Sequence, residues 1–237
     1  MSFIAWNKSV CGKLRERFPS LFRGVSPHWR MRQAIDAALA ELREDGRKPV
    51  VLEAGGVDRP MLPRDASYRL VGLDIDHRPA ADTLYDAFIH GSVADPIPIR
   101  ADLILSYALL EHLPDTGLAL TRMREALNEG GFMIHYHPCK NHPYAWLLRM
   151  VGARGQRRLI DRLRPEAANI TGYPTFFDGC TVAERRRMGF EVTPFYRANE
   201  YFDAFVPAYV LVSLFETLCQ AMGWTFFAAG VMVTGRA

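Results

Sequence analysis

The chain alternates short apolar runs with amphipathic stretches. Val50, Val51 and Leu52 lead into Glu53, and Gly55-Gly56 follows at once. That order predicts a buried parallel strand ending in a turn where backbone must approach a ligand closely. Residues 68–74 repeat the design, an apolar strand closed by Asp74. Residues 86–90 predict a shorter third strand, 101–106 a near-continuous apolar fourth, and 132–136 a fifth. Between them lie helical spacings. Ile35, Leu39 and Leu42 share one face of a helix over 32–43. Leu120, Met123 and Leu127 do the same after Pro114-Asp115-Thr116, where Asp115 or Thr116 can cap. Asn128-Glu129-Gly130-Gly131 supplies the glycine expected just past a helix end. Strands alternating with helices imply an α/β fold with a doubly wound parallel sheet and helices on both faces.

Beyond Pro138 the pattern loosens. Helices are expected over 144–150 and 156–163, a loop over 169–178, and a short basic helix over 181–188. A strand over 189–195, an apolar helix over 209–222 and a last strand over 225–234 complete the reading. Residues 1–31 form a basic lead-in, in which Phe3, Ile4, Trp6, Val10 and Leu14 can make an apolar face. That face either packs on the domain or lies against a membrane or partner. Residues 32–237 are then one domain, with cap insertions near 139–180 and 198–224.

At 237 residues, 49% hydrophobic and 23% charged, the chain is long enough for a full core. A net charge of +3 gives no case for nucleic-acid binding. The run Arg185-Arg186-Arg187 is short, follows Glu184, and reads as a solvated helix face. Cys11, Cys139, Cys180 and Cys219 show no CxxC spacing, which suits a reducing, cytoplasmic setting. The start of the chain lacks the apolar core of a signal peptide. Residues 205–224 expose more apolar surface than one solvated helix needs, so they are expected to complete the core, form a homodimer contact, or rest peripherally on a membrane.

One segment is more specific than the rest. Residues 102–115 read Asp-Leu-Ile-Leu-Ser-Tyr-Ala-Leu-Leu-Glu-His-Leu-Pro-Asp, followed by a helix and Gly130-Gly131. Together with Glu53-Ala54-Gly55, the stretch 49–138 resembles the class I S-adenosylmethionine-dependent methyltransferases of the small-molecule and glycan type. The resemblance implies a Rossmann-like, mostly parallel seven-stranded sheet with a helical and aromatic cap, and S-adenosylmethionine as cofactor. It further implies that Glu53, Gly55 and Gly56 underlie the amino-acid end of the cofactor, and that Asp74 takes the ribose hydroxyls. Ile75 and Val93 would wall the adenine, Ser92 would hydrogen-bond it, and Tyr107 would line the methionine side.

The family usually carries G-x-G-x-G after the carboxylate. Here Val57 and Arg59 occupy the later two positions, close to a shortened-loop variant with Gly-Gly and a downstream Pro60. That departure keeps a second reading open, a non-catalytic interaction subunit. A nucleotide-dependent oxidoreductase is disfavoured by the absence of G-x-G-x-x-G. His112, His135 and His137 fall where an acceptor should enter, and an unperturbed imidazole pKa of ~6.5 suits a general base. His135-x-His137 lacks an accompanying carboxylate or thiolate set, so no metal is expected. The expected reaction is methyl transfer to an oxygen, less readily a nitrogen, of a small molecule, glycan or lipid-linked sugar.

Overall fold

The computed structural model describes residues 2–44, 46–163 and 173–237. Seven strands form one sheet: β1 (Val50–Ala54), β2 (Arg69–Asp74), β3 (Ala87–His90), β4 (Ala101–Tyr107), β5 (Leu127–Pro138), β6 (Glu191–Phe195) and β7 (Gly230–Arg236). Their order is β3-β2-β1-β4-β5-β7-β6. The first five pair in parallel, and β7 runs antiparallel to both β5 and β6. Strand order reverses between β1 and β4, so a crevice opens beyond their carboxyl ends.

The helices are α1 (Phe3–Arg17), α2 (Pro19–Phe22), α3 (Pro27–Leu42), α4 (Ala81–Leu84), α5 (Thr116–Glu125), α6 (Pro143–Leu163), α7 (Val182–Arg187) and α8 (Val206–Ala221). Strand side chains alternate between faces, and each face has its own core. Leu52, Ile104 and Met133 pack with Ala119, Leu120 and Met123 of α5 on one side. Val51, Leu103, Leu105 and Ile134 pack with Met31, Ile35 and Leu39 of α3 on the other. Being covered on both faces is why β1 and β4 read as unbroken apolar runs rather than as alternation.

Several boundaries differ from the sequence expectation. α3 begins at Pro27, because Ser26 Oγ caps Trp29 N at 3.3 Å and proline's fixed φ suits the first turn. β5 begins at Leu127, not at 132. Gly130-Gly131 therefore lies within the strand, where the register against β4 shifts, instead of closing a helix. α6 joins both expected helices across Gly152, whose φ of 63° interrupts the helical path. The last strand starts at Gly230, because residues 225–227 form a 3-10 turn. The expected loop over 169–178 lies outside the described residues up to 172; residues 173–178 are irregular.

Arg185 corrects a further expectation. It is not solvated but fully buried. Its Nε donates to His137 Nε2 and a guanidinium nitrogen donates to Thr116 Oγ1, both at 3.0 Å. Thr116 N in turn donates to Asp178 Oδ2 at 3.0 Å, so this network fixes the 176–188 segment to β5 and to the start of α5.

Candidate active site

The crevice is built from strand ends. β1 delivers Glu53, fully buried, and its Oε1 accepts from Met61 N. Glu53 Oε2 has no hydrogen-bond partner among the described residues, and burial pushes the carboxyl up to about 7. Gly55 follows with φ 82°, a conformation that costs an L side chain strain. A Cβ on Gly56 would lie 2.2 Å from the Tyr85 hydroxyl and 2.8 Å from Glu53 Oε1. The Gly-Gly pair is thus required by the backbone path and by the Tyr85–Glu53 pair beneath it. Tyr85 is itself buried with an unpartnered hydroxyl, which burial and the Glu53 charge hold well above the usual phenol range.

β2 delivers Asp74. Its Oδ1 accepts from Asp76 N at 2.8 Å, and desolvation raises its pKa. Ile75 follows with its side chain 57% exposed, an uncovered apolar group beside a carboxylate. Ser92 turns the chain after β3, with its Oγ accepting from Ala94 N at 3.1 Å. Val93 is buried in the core with Leu73, so little of it is left for a ligand wall. Tyr107 ends β4, stacks on Tyr136 with ring centroids 4.9 Å apart, and meets the His28 ring edge-on at 5.9 Å.

These groups fit S-adenosylmethionine. An orphaned buried carboxylate oxygen at Glu53, a glycine turn with no room for Cβ, and a half-buried carboxylate one strand over suit its ammonium, main chain and ribose. Backbone strain gathers here too. Among the described residues the non-glycine positions with positive φ are Val57 (41°), Ala108 (55°) and Phe177 (54°). Val57 lies in the glycine turn, Ala108 follows Tyr107, and the N–H of Phe177 donates to Glu111 O. Each such residue costs on the order of 1–3 kcal/mol, and strain of this kind concentrates at functional sites.

The three candidate bases separate. His112, on the 3-10 turn Leu110–His112, keeps 26% of its side chain exposed. Its Nδ1–H donates to Pro174 O at 3.0 Å, which leaves the Nε2 lone pair available; burial lowers its pKa. His135 and His137 do share a face, as strand periodicity requires, but that face is the packed one. His135 Nδ1 pairs with Ser106 Oγ at 2.8 Å. His137 Nε2 accepts from Arg185 and its Nδ1 donates to Pro138 O, so the ring is a neutral structural acceptor. Burial and the Arg185 charge push both down to about 3. Enclosed this way, neither ring reaches the crevice.

Glu111, in the Glu-His pair of the 102–115 segment, is expected to hold a loop through hydrogen bonds, and it does so through its main chain. Its backbone carbonyl, not its carboxylate, holds the strap that follows the cap, accepting from Phe176 N at 2.8 Å and Phe177 N at 3.1 Å. The carboxyl is buried, with Oε2 unpartnered and burial raising it to about 8. Its Oε1 stands 3.8 Å from His112 Nε2. Tyr173, in the same strap, hydrogen-bonds Asp76 and meets the His112 ring at 6.1 Å, so it spans the crevice from β2 to β4. Tyr144 and Tyr201 stack at 4.7 Å on the cap side. Tyr85 carries no sequence signal, whereas His28 could have been found from the Ser26-Pro27 helix start beside it. Among the described residues no cluster of His, Cys, Asp and Glu has the makings of a metal site.

The sheet order, the glycine turn at the switch point and carboxylates ending adjacent strands define the nucleoside-cofactor crevice of a class I methyltransferase fold. A family model described as a methyltransferase domain matches residues 28–193, and the chain belongs to that family of S-adenosylmethionine-dependent methyltransferases. No curated protein matches the sequence. Similar solved structures include an S-adenosylmethionine-dependent methyltransferase from Clostridium acetobutylicum (12% identity, TM-score 0.36, covering 46% of this chain and 52% of that one). The magnesium protoporphyrin IX methyltransferase of Synechocystis with bound cofactor is another (16%, TM-score 0.34, 50% and 65%). A third is an S-adenosylmethionine-dependent methyltransferase from Thermotoga maritima (12%, TM-score 0.45, 99% of each chain). The chain thus spans about half of the first of these and just under two thirds of the second.

Proposed function

We propose that the protein transfers a methyl group from S-adenosylmethionine to a hydroxyl oxygen of a small molecule, glycan or lipid-linked sugar. The observation that carries this reading is His112. Among the three candidate histidines it alone is partly exposed at the crevice, with Nδ1 committed to Pro174 O and Nε2 left to accept a proton. An alcohol must lose its proton as the carbon–oxygen bond forms, and a neutral imidazole at the acceptor side meets that need.

When bound, the cofactor supplies an electrophilic methyl on a sulfonium. Glu53 and the Gly55-Gly56 backbone hold its amino-acid end, Asp74 its ribose, and Ile75 with Ser92 its base. Val93 backs this wall from the core. Tyr107 orients the methionine side, where holding the reacting groups in line supplies much of the rate. Tyr173 covers the crevice and excludes water. Tyr201, exposed and backed by the buried ring of Tyr144, offers a ring face for a sugar or other cyclic acceptor. His135 and His137 act as positioning residues, setting β5 against β4 and against Arg185.

The test is incubation with methyl-labelled S-adenosylmethionine and fractionated hydroxylated metabolites, followed by mass spectrometry of the labelled product. An O-methyl product formed by wild type and strongly reduced in His112→Gln supports the assignment. An N-methyl product, or one formed equally well by His112→Gln, overturns it. A second reading, a non-catalytic interaction subunit, is favoured by Val57, which holds φ 41° where the family pattern has glycine. It predicts a folded protein without cofactor affinity.

A further inference from the structure

All four tryptophans of the chain, Trp6, Trp29, Trp146 and Trp224, are exposed by 43–55%. Tryptophan is normally well covered in a globular protein, and it is enriched where apolar matter meets water at a lipid headgroup layer. Three of the four flank one continuous surface. On α8, Leu211, Leu214, Leu218 and Met222 form an exposed stripe at helical spacing. The only ionisable side chain of α8 with an acid or base charge is Glu216, which is buried and accepts from Ala198 N on the inner side. Rings carry the stripe onward: Phe215 meets Phe227 at 5.2 Å, and Phe227 meets Trp146 at 6.2 Å. Met150, one turn further along α6, is 84% exposed. At the other end Asn7 Oδ1 accepts from Val206 N at 2.9 Å, which sets exposed Trp6 and Phe3 of α1 beside the start of α8.

Charge is arranged around this surface rather than on it. Residues 1–31 hold six basic side chains and one acidic one, a net +5 within a chain whose total is +3. Lys13, Arg17, Arg23 and Arg30 among them are exposed, as are Arg149, Arg158 and Arg162 along α6. An uncharged apolar stripe rimmed by tryptophans and flanked by cations complements an anionic, apolar-centred surface. A second copy of the chain would bring the same cations together face to face.

We propose that the α1–α8–α6 face docks on the surface of a membrane containing anionic lipid. Leu211, Leu214, Leu218, Met222 and Phe226 enter the headgroup boundary, and the basic side chains of α1 and α6 lie over the phosphates. No described helix is long and apolar enough to cross a membrane, so the helices rest on the surface. Lipid docking does not depend on methyl transfer, and either can fail alone.

The experiment is sedimentation of the full chain with vesicles of phosphatidylcholine plus phosphatidylglycerol, and with vesicles of phosphatidylcholine alone, at low and high salt. S-adenosylmethionine affinity and solution mass are measured on the same samples. The expected result is binding to the anionic vesicles, roughly tenfold or more weaker on phosphatidylcholine alone or at high salt. Leu211→Glu/Leu218→Glu should lose at least roughly tenfold in vesicle binding while keeping cofactor affinity and solution mass. Lys13→Glu/Arg17→Glu, which leaves the stripe intact, should weaken binding to anionic vesicles selectively. Failure of the wild-type chain to sediment with anionic vesicles overturns the proposal. So does unchanged binding by the stripe variant, or a stable dimer that the stripe variant converts to monomer.

Discussion

Gly56→Ala is the sharpest local perturbation the structure offers. An added Cβ would stand 2.2 Å from the Tyr85 hydroxyl and 2.8 Å from Glu53 Oε1. Ordinary contact begins roughly 1 Å beyond the first of these distances. Neither neighbour is the free end of a flexible side chain. Tyr85 is buried on a rigid ring, and Glu53 is tied to Met61 N. The turn itself must therefore move by roughly 1 Å, a strain of about 1–3 kcal/mol. For a chain of this size that lowers the thermal midpoint by about 2–12 °C. The same displacement lifts the glycine turn out of the crevice floor, so cofactor affinity should fall by about tenfold or more, equivalent to ~1.4 kcal/mol. Differential scanning fluorimetry and titration calorimetry on one preparation read both numbers. Adding Tyr85→Phe removes the nearer clash and should recover part of the stability. Gly56→Ala with wild-type midpoint and affinity would refute the reasoning, since it would mean that the turn does not bear on the site.

Burial makes Glu111 a pH-dependent element. Its folded-state value of about 8, and that of about 7 for Glu53, lie above an unfolded glutamate at ~4.3, so their contribution is complete at low pH and is lost as pH rises through those values. His135 and His137 at about 3 act in the opposite sense, contributing above an unfolded ~6.5 and losing their contribution as pH falls. From pH ~6.5 to ~7.5 the carboxyls dominate the slope, and nearer the unfolded thiol value of ~8.5 the four buried cysteines, whose thiols burial also pushes up, add to it in the same direction. The thermal midpoint should therefore drop from pH ~6.5 toward pH ~8.5, and Glu111→Gln should flatten the drop; an unchanged slope counts against the buried carboxyl. His112→Gln should lower kcat by about 100-fold or more with cofactor affinity unchanged, read by single-turnover transfer of labelled methyl. Arg185→Met strands the buried His137 Nε2, takes one of the partners of Thr116 Oγ1, and should cost about 2–4 kcal/mol in denaturant titration. A loss under about 0.5 kcal/mol would mean the network is not structural.

The parallel core was legible because its strands are buried on both faces and read as unbroken apolar runs, as in Leu103-Ile104-Leu105. The floor of the crevice was legible because carboxylates and glycines fall at strand ends, where α/β sheets bind ligands. What failed depended on partners far along the chain. Nothing local says that Arg185 reaches His137, 48 residues away, so it read as a surface charge and His137 as a base. The alternation of His135 and His137 correctly placed both on one face, but periodicity does not say which face α5 and Arg185 will cover. The glycines after α5 read as a cap because cap and bulge chemistry use the same residue. Tyr85 was invisible for the opposite reason: an apolar aromatic near a strand start gives no sign that its hydroxyl is orphaned beside Glu53.

The central claim is that the crevice over β1, β2 and β4 binds S-adenosylmethionine. Titration calorimetry of wild type and Asp74→Ala with S-adenosylmethionine and its demethylated product tests it directly. The account predicts micromolar binding, about −8 kcal/mol, weakened at least roughly tenfold by Asp74→Ala with the fold intact. Absence of binding by well-folded wild type, or binding that Asp74→Ala leaves unchanged, would contradict it.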